Sequence, residues 1–350
     1  MSYLRENIER MEGYSPGFQP TGEGWTKLNT NENPFPPSAK VIKSLRDAID
    51  GKIRLYPDPL ADNVREKIGE VYGVEKDCVI VGNGGDEVLA MAARAFLGEG
   101  QVLLMTKPSY TLYRVLGEVQ GANVTEIPLG GGFSLPAAVF SQRAALTFIS
   151  NPNPPSGVLY ERSEMERLSE GTGGVVVIDE AYVDFAKSNC LDLVRRHDNA
   201  LVARSMSKFM SLAGLRVGFG IGDKELIRGM MKVKDSYNVN RLSQVAAVAA
   251  LDDLDYYAEK SREVCREREE LTRSLRELGW RVFPSQANFI FAVPVGLTAK
   301  EMYEELFQRK ILVRYFDTPE TRDGLRITIG SPDENRRLLK AIRSIYGRKK

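Results

Sequence analysis

The sequence predicts an α/β protein. It should have a large domain with a mostly parallel central sheet flanked by helices, followed by a smaller α+β domain. Three observations carry this expectation. Short runs rich in Val, Leu and Ile, without polar alternation, recur through the first two thirds of the chain, as strands covered on both faces would require. Amphipathic stretches with helical spacing lie between them. Near residue 250 the texture changes to a long, charged, helical segment. With 350 residues the chain is too long for one small core, and the expected division is an arm over 1–36, a large domain over 37–250 and a small domain over 251–350.

The elements follow in order. The stretch 13-GYSPGFQPTGEGWTKLNTNENPFPP-37 is rich in Pro, Gly and Asn and reads as an extended arm. Its aromatics Tyr14, Phe18, Trp25 and Phe35 imply docking, onto the small domain or a partner subunit. Ser38 can cap a helix over 38–51. In 61–73, Val64, Ile68 and Val71 share a face and Gly73 can end the helix. Strands are expected at 78–82, 102–106, 144–150, 174–179, 200–205 and 216–222. The polar-faced helix at 253–279 can bridge two lobes. After it come strand material over 280–294, a helix at 298–310, a strand at 325–330 and a closing helix at 333–346.

Composition excludes several classes. Net charge is +1 and there is no long basic run, so nucleic acid is not an expected partner. The charged N-terminus has no apolar core of a secretory signal, and no run approaches the ~20 residues of a membrane span, so a cytoplasmic location away from membranes is expected. Cys78, Cys190 and Cys265 are far apart and form no metal spacing, and each is expected to be a buried thiol. The one histidine, His197, lies in the polar run RRHDN and is expected to be a solvated loop residue. No metal site is expected, and the proton carrier of an enzyme built from this chain should not be histidine.

The chemistry centres on 205-SMSKFMSLAGLRVGFGIG-222. Lys208 sits among apolar residues, and desolvation lowers a lysine pKa toward the neutral, nucleophilic form. In 179-DEAY-182, Asp179 follows the run GVVVI, which places it at the C-terminal end of a strand, where open α/β sheets bind ligands. A buried carboxylate needs a cationic partner, and a protonated ring nitrogen would serve. Tyr182 can hydrogen-bond a phenolate oxygen beside it. The stretch 82-GNGGDEVL-89 runs from a strand through glycines into a helix, so the amides at Gly85 and Asp86 form an anion site. Ser205, Ser207 and Arg216 add the donors a phosphate dianion takes.

Together these motifs resemble the fold-type I aminotransferases that use pyridoxal 5′-phosphate, and among them the histidinol-phosphate aminotransferases. The resemblance rests on 28-LNTNENPFPP-37, 55-LYPDP-59, 82-GNGGDEVL-89, 107-KPSYTLYR-114, 176-VVIDEAYVDF-185, 203-ARSMSKFMSLAGLRVGF-219, 237-YNVNRLSQ-244 and 325-LRITIG-330, in family order over nearly the whole chain. It implies a Schiff base on Lys208, which also shuttles the substrate proton. It implies Asp179 on the pyridine nitrogen, Tyr182 on the ring hydroxyl and Tyr110 stacked on the ring. Gly85, Asp86, Ser205, Ser207 and Arg216 would hold the phosphate, with Tyr56 reaching it from the partner of a homodimer with shared active sites. Arg314 and Arg326 would face the substrate's anionic group, and Tyr14 and Asn33 would close over it. The implied reaction moves the amino group of L-histidinol phosphate to 2-oxoglutarate, yielding glutamate.

One departure matters. Relatives read N-P-x-N-P-T-G, with the second asparagine on the ring hydroxyl, whereas this chain has 151-NPNPPSG-157 with Pro154 there. Proline has no side-chain donor and no N–H. Either Tyr182 holds that oxygen alone, or Asn153 or a water substitutes. Other readings share these motifs: threonine-phosphate decarboxylase, or an aromatic-amino-acid transaminase of broad specificity. A transcription regulator with an aminotransferase-like domain is disfavoured, because the pattern begins by about residue 14.

Overall fold

The structure, a computed structural model, describes residues 2–347; residue 1 and residues 348–350, at the outer ends of the expected arm and small domain, lie outside it. The chain opens with a short helix α1 (Glu6–Arg10) and a two-residue strand β1 (Thr26–Lys27), then α2 (Ala39–Ala48) and α3 (Asp62–Tyr72). Next come β2 (Val79–Gly82), α4 (Gly85–Phe96), β3 (Val102–Lys107), α5 (Leu112–Val119), β4 (Asn123–Pro128), β5 (Leu146–Ser150), α6 (Arg162–Gly171), β6 (Val175–Asp179), β7 (Ala200–Ser205) and β8 (Gly218–Gly222). Helices α7 (Lys224–Val233), α8 (Arg241–Leu251) and α9 (Leu254–Glu277) follow. The C-terminal part holds β9 (Arg281–Val282), β10 (Phe289–Val293), α10 (Ala299–Gln308), β11 (Ile311–Leu312), β12 (Arg314–Tyr315), β13 (Leu325–Thr328) and α11 (Pro332–Gly347).

The central sheet has seven strands in the order β2-β8-β7-β6-β5-β3-β4. Only β8 runs against its neighbours. Both faces are covered. On β6, Val177 packs into the core beneath α4 and α7, while Val176 and Ile178 pack on the opposite side with α6. Alternate residues of one strand thus enter different cores, and the run stays apolar throughout. A four-stranded antiparallel sheet, β12-β13-β10-β9, belongs to the smaller lobe and packs with α9, α10 and α11.

Local signals act as read. Ser38 accepts from Val41 N at the start of α2, and Gly73 ends α3 in the left-handed region with φ 65°. Two differences have physical causes. Strand β8 begins at Gly218 rather than 216, because Arg216 adopts φ 51° and turns out of the strand. The arm is not simply extended: β1 pairs in parallel with β11, and Leu28 is buried in the small-lobe core. Phe18, Trp25 and Phe307 form one aromatic cluster, with Trp25 and Phe307 ring centres 5.1 Å apart.

Leu28 is 1 % exposed, so Leu28→Ala should cost about 2–5 kcal/mol of stability, the range for truncating a buried leucine. Denaturant titration of the full chain measures it, and a loss under about 0.5 kcal/mol, the surface-site value, would contradict the packing described.

Candidate functional site

The parallel strands point their C-terminal ends at one cavity of about 790 Å³, closed on the far side by the small lobe and the arm. Each strand end delivers a side chain or amide to it, as open α/β sheets do. After β2 the chain turns through Gly84 (φ 90°) into α4, whose first residues are Gly85 and Asp86. A Cβ on Gly84 would lie 2.5 Å from the Arg216 guanidinium, and one on Gly218 would lie 2.3 Å from Gly85 N. Glycine at these two positions lets Arg216 and the start of α4 converge. Arg216 donates to Ser207 Oγ at 3.3 Å and to Asp86 Oδ2 at 3.0 Å. Ser205 Oγ accepts from Ser207 N at 3.2 Å. Helix amides, two hydroxyls and a guanidinium thus form a cup for a dianion.

Lys208 follows β7 and is half-buried, its exposed part lining the cavity. Its ammonium donates to Thr30 O at 3.0 Å. Burial first, and the nearby Arg326 second, depress its pKa to about 8, against the opposing pull of Glu32. At pH 7 roughly a tenth of the amine is therefore neutral, far more than for an ordinary lysine.

Asp179 ends β6, 8 % exposed. Its carboxylate accepts from Tyr113 Oη at 2.7 Å and from Ala181 N at 3.1 Å. Burial pushes its pKa up to about 6, the two donors opposing that rise. Tyr182 Oη accepts from Asn31 Nδ2 at 3.1 Å, which leaves its own O–H free to donate. Tyr110 donates to Asp86 Oδ1 at 3.0 Å and meets the Tyr14 ring edge-on at 5.7 Å.

Across the cavity, Arg314 and Arg326 occupy directly paired positions on β12 and β13. Like charges in that position repel. Neither guanidinium has a carboxylate partner among the described residues. Arg326 donates to Asn29 O at 2.8 Å, its Nε is buried without a hydrogen-bond partner, and burial lowers its pKa. A guanidinium desolvated to this degree calls for an anion.

Tyr14, Gly85, Asp86, Tyr110, Asp179, Tyr182, Ser205, Ser207, Lys208, Arg216, Arg314 and Arg326 therefore share one cavity. Three residues singled out from the sequence stand elsewhere. Asn153 is fully buried, accepting from Ser109 Oγ and donating to Pro108 O, while Pro154 faces the cavity. Asn33 donates to the carbonyls of Lys208 and Phe209 and so holds the lysine loop. Tyr56 is 81 % exposed and stacks on Tyr237 at 4.4 Å, outside the cavity of its own chain.

Sequence reasoning missed Tyr113, Asn31 and Thr30. Tyr113 lies three residues beyond Tyr110, one helical turn away on α5, which is the signal that could have found it. Asn31 has φ 57°, a conformation asparagine tolerates, but no spacing rule reveals its partner.

Two expectations outside the site are corrected. His197 is not a solvated loop residue: its side chain is 16 % exposed, and Nε2 lies 3.5 Å from Glu166 Oε1 because the loop folds back onto α6. The ligand atoms of Glu166, Glu170 and His197 lie within 4.8 Å of one another, but Glu166 is already paired with Arg196. Of the cysteines only Cys190 is buried, its thiol pushed up to about 12 by burial; Cys78, just before β2, and Cys265, midway along α9, are half-buried.

Residues 23–342 match the family described as aminotransferase class I and II, and the chain belongs to it. The cofactor of this family is pyridoxal 5′-phosphate. Histidinol-phosphate aminotransferase of Microcystis aeruginosa is 43 % identical over 343 residues, covering 98 % of either chain. That of Syntrophotalea carbinolica is 44 % identical over 346 residues, covering 99 % of this chain and 100 % of the other. The solved structure of histidinol-phosphate aminotransferase from Sinorhizobium meliloti, in complex with pyridoxal 5′-phosphate, superposes with a TM-score of 0.88 at 23 % identity over 99 % of both chains. That likeness is one of fold.

The cavity's groups fit the cofactor. The cup matches its phosphate, Lys208 can reach the neutral state its aldehyde needs, and Asp179 is a buried carboxylate without a cationic partner among the described residues.

Competitive acetylation of the cofactor-free chain should give Lys208 a reactivity midpoint near 8. Arg326→Gln removes a positive neighbour and should move that midpoint upward. A Lys208 midpoint matching that of surface lysines would contradict the electrostatics described.

Proposed function

We propose that the chain transfers the amino group of L-histidinol phosphate to 2-oxoglutarate, giving imidazole-acetol phosphate and L-glutamate, a step of histidine biosynthesis. The observation that carries this reading is the cross-strand pair Arg314 and Arg326, which faces Lys208's cavity with no carboxylate partner among the described residues. Both amino partners bring an anion: a phosphate in one, a side-chain carboxylate in the other. Two guanidiniums with planar forks suit either. The relatives bearing this activity's name match over nearly their full length.

The proposed roles follow the geometry. The α4 amides of Gly85 and Asp86, with Ser205, Ser207 and Arg216, would hold the cofactor phosphate. Asp179 would pair with the pyridine nitrogen and Tyr110 would cover the ring. When bound, the cofactor takes up the electron pair released at the substrate Cα and carries the amino group between substrates. Lys208, neutral in part, would take the Cα proton on Nζ and hold it for return. Pro154 offers no donor and Asn153 is committed elsewhere, so Tyr182 alone donates to the ring hydroxyl, aimed by Asn31. Tyr14 covers the substrate, and Asn33 acts through the backbone of Lys208.

The active unit we propose is a homodimer. Ile49, Ile53, Leu55, Tyr56, Leu60 and Tyr237 are exposed together around the 49–60 segment, a patch that needs covering. Tyr56 would then enter the partner's cavity and reach its phosphate cup. Residues 37–250 and 251–350 would act as the two lobes, with 1–36 as the arm. The unpaired cysteines suit the cytoplasm.

Histidinol phosphate with 2-oxoglutarate should yield glutamate, and threonine phosphate alone should release no CO2; the reverse outcome would make the chain a decarboxylase. Arg326→Gln should raise KM for histidinol phosphate by about 10-fold or more, the loss of a charge-assisted contact of roughly 1.5–3 kcal/mol. Lys208→Ala should lose turnover together with the visible cofactor band that borohydride bleaches in the parent protein. At micromolar concentration, sedimentation should report a dimer.

A further inference from the structure

Tyr113 is fully buried on α5, stacked on Phe148 with ring centres 4.9 Å apart. Phenylalanine would fill this position equally well, so the hydroxyl needs its own explanation. It donates to Asp179 Oδ2 at 2.7 Å, while Oδ1 accepts from Ala181 N. It is the only side-chain donor on that carboxylate among the described residues. No cation pairs with Asp179 among the described residues, and the charged neighbours that act on it are of its own sign: Asp86 from α4, held by Arg216, and Glu180 just after β6, held by Arg204 on the other side of the sheet. The same tyrosine touches a second wall of the site, since its ring meets Tyr110 edge-on at 5.6 Å and its backbone N–H donates to Tyr110 O at 3.2 Å.

We propose that Tyr113 is a positioning residue for the amino-transfer reaction: its hydroxyl fixes the rotation of the Asp179 carboxylate and keeps it an ionised acceptor toward the cavity, while its ring sets the tilt of Tyr110. This rests on the reading that Asp179 faces the ring nitrogen. A single residue then registers the face and the edge of the cofactor against each other. The electrostatics agree. Burial drives Asp179 toward its protonated form, Tyr113 is the largest opposing influence, and burial also holds the Tyr113 proton in place by raising its pKa far above the ordinary value.

The test is Tyr113→Phe in the full-length chain without cofactor, followed by 13C NMR of labelled aspartate. The Asp179 midpoint should move up by about one pH unit, a tenfold change in its protonation equilibrium. In the cofactor-loaded enzyme, kcat should fall about tenfold on the same basis, the acid limb of its pH profile should move to higher pH, and KM for the amino donor should stay within twofold. An unmoved or lowered Asp179 midpoint overturns the proposal. Should Tyr113→Phe fail to fold, 3-fluorotyrosine in place of Tyr113 keeps the shape and donates more strongly, so the midpoint should fall, and an unmoved midpoint again overturns it. Failure of the underlying reading has a separate signature, since Asp179→Asn would then leave kcat untouched.

Discussion

Residues 29–33 are bonded to both lobes at once, and the site depends on that. Thr30 O accepts from the Lys208 ammonium, and Asn33 holds the backbone of the same lysine. Asn31 reaches Tyr182, while its backbone N–H donates to Thr328 Oγ1 and its carbonyl accepts from Asn288. Asn29 O accepts from Arg326. Three groups that line one cavity, an amine, a phenol and a guanidinium, belong to different elements. This short stretch gives them a common reference. Its buried polar atoms are almost all satisfied, so the stretch is rigid as well as central.

Electrostatics gives the cavity its chemical bias. Of the cations that line it, Arg10, Lys107, Arg114 and Arg216 have carboxylates within ion-pair distance, whereas Lys208, Arg314 and Arg326 have none among the described residues. Unpaired positive charge of this kind is costly in a closed space unless anions enter. It favours ligands with two anionic ends, one at the helix start and one between the small-lobe arginines. Burial most of all, and the neighbouring Arg326 and Arg216 with it, keep Lys208 from holding its proton firmly. Glu32 moderates this, and is itself held by Lys27 and Thr30.

The strands of the large sheet were legible because burial on both faces leaves an unbroken apolar run, and the helix starts were legible through Ser38 and the glycines before α4. Strand-end chemistry followed, since Asp179 and Lys208 lie just beyond apolar runs. What escaped reading has a different physical origin. The pairing of Thr26 with Ile311 joins two-residue strands that have no periodicity. Tyr113 looks like any core aromatic until its acceptor is known. Asn153 and Asn33 carry the right atoms, but nearer carbonyls and hydroxyls claim them, and short-range competition of that kind leaves no mark in spacing. His197 appeared solvated because its neighbours are charged, yet the loop folds it against α6.

The parallel pairing of β1 with β11 has a consequence for biogenesis. Thr26 leaves the ribosome long before Ile311 exists. During synthesis the large sheet can assemble from sequence-local pieces, but the arm has no strand to join and Leu28 no apolar interior to enter until the last hundred residues emerge. The vitamin-binding groove therefore reaches its finished form only at the end of translation, and the nascent polypeptide spends most of its elongation with one apolar ribbon unclaimed, a segment that chaperones would be well placed to shield.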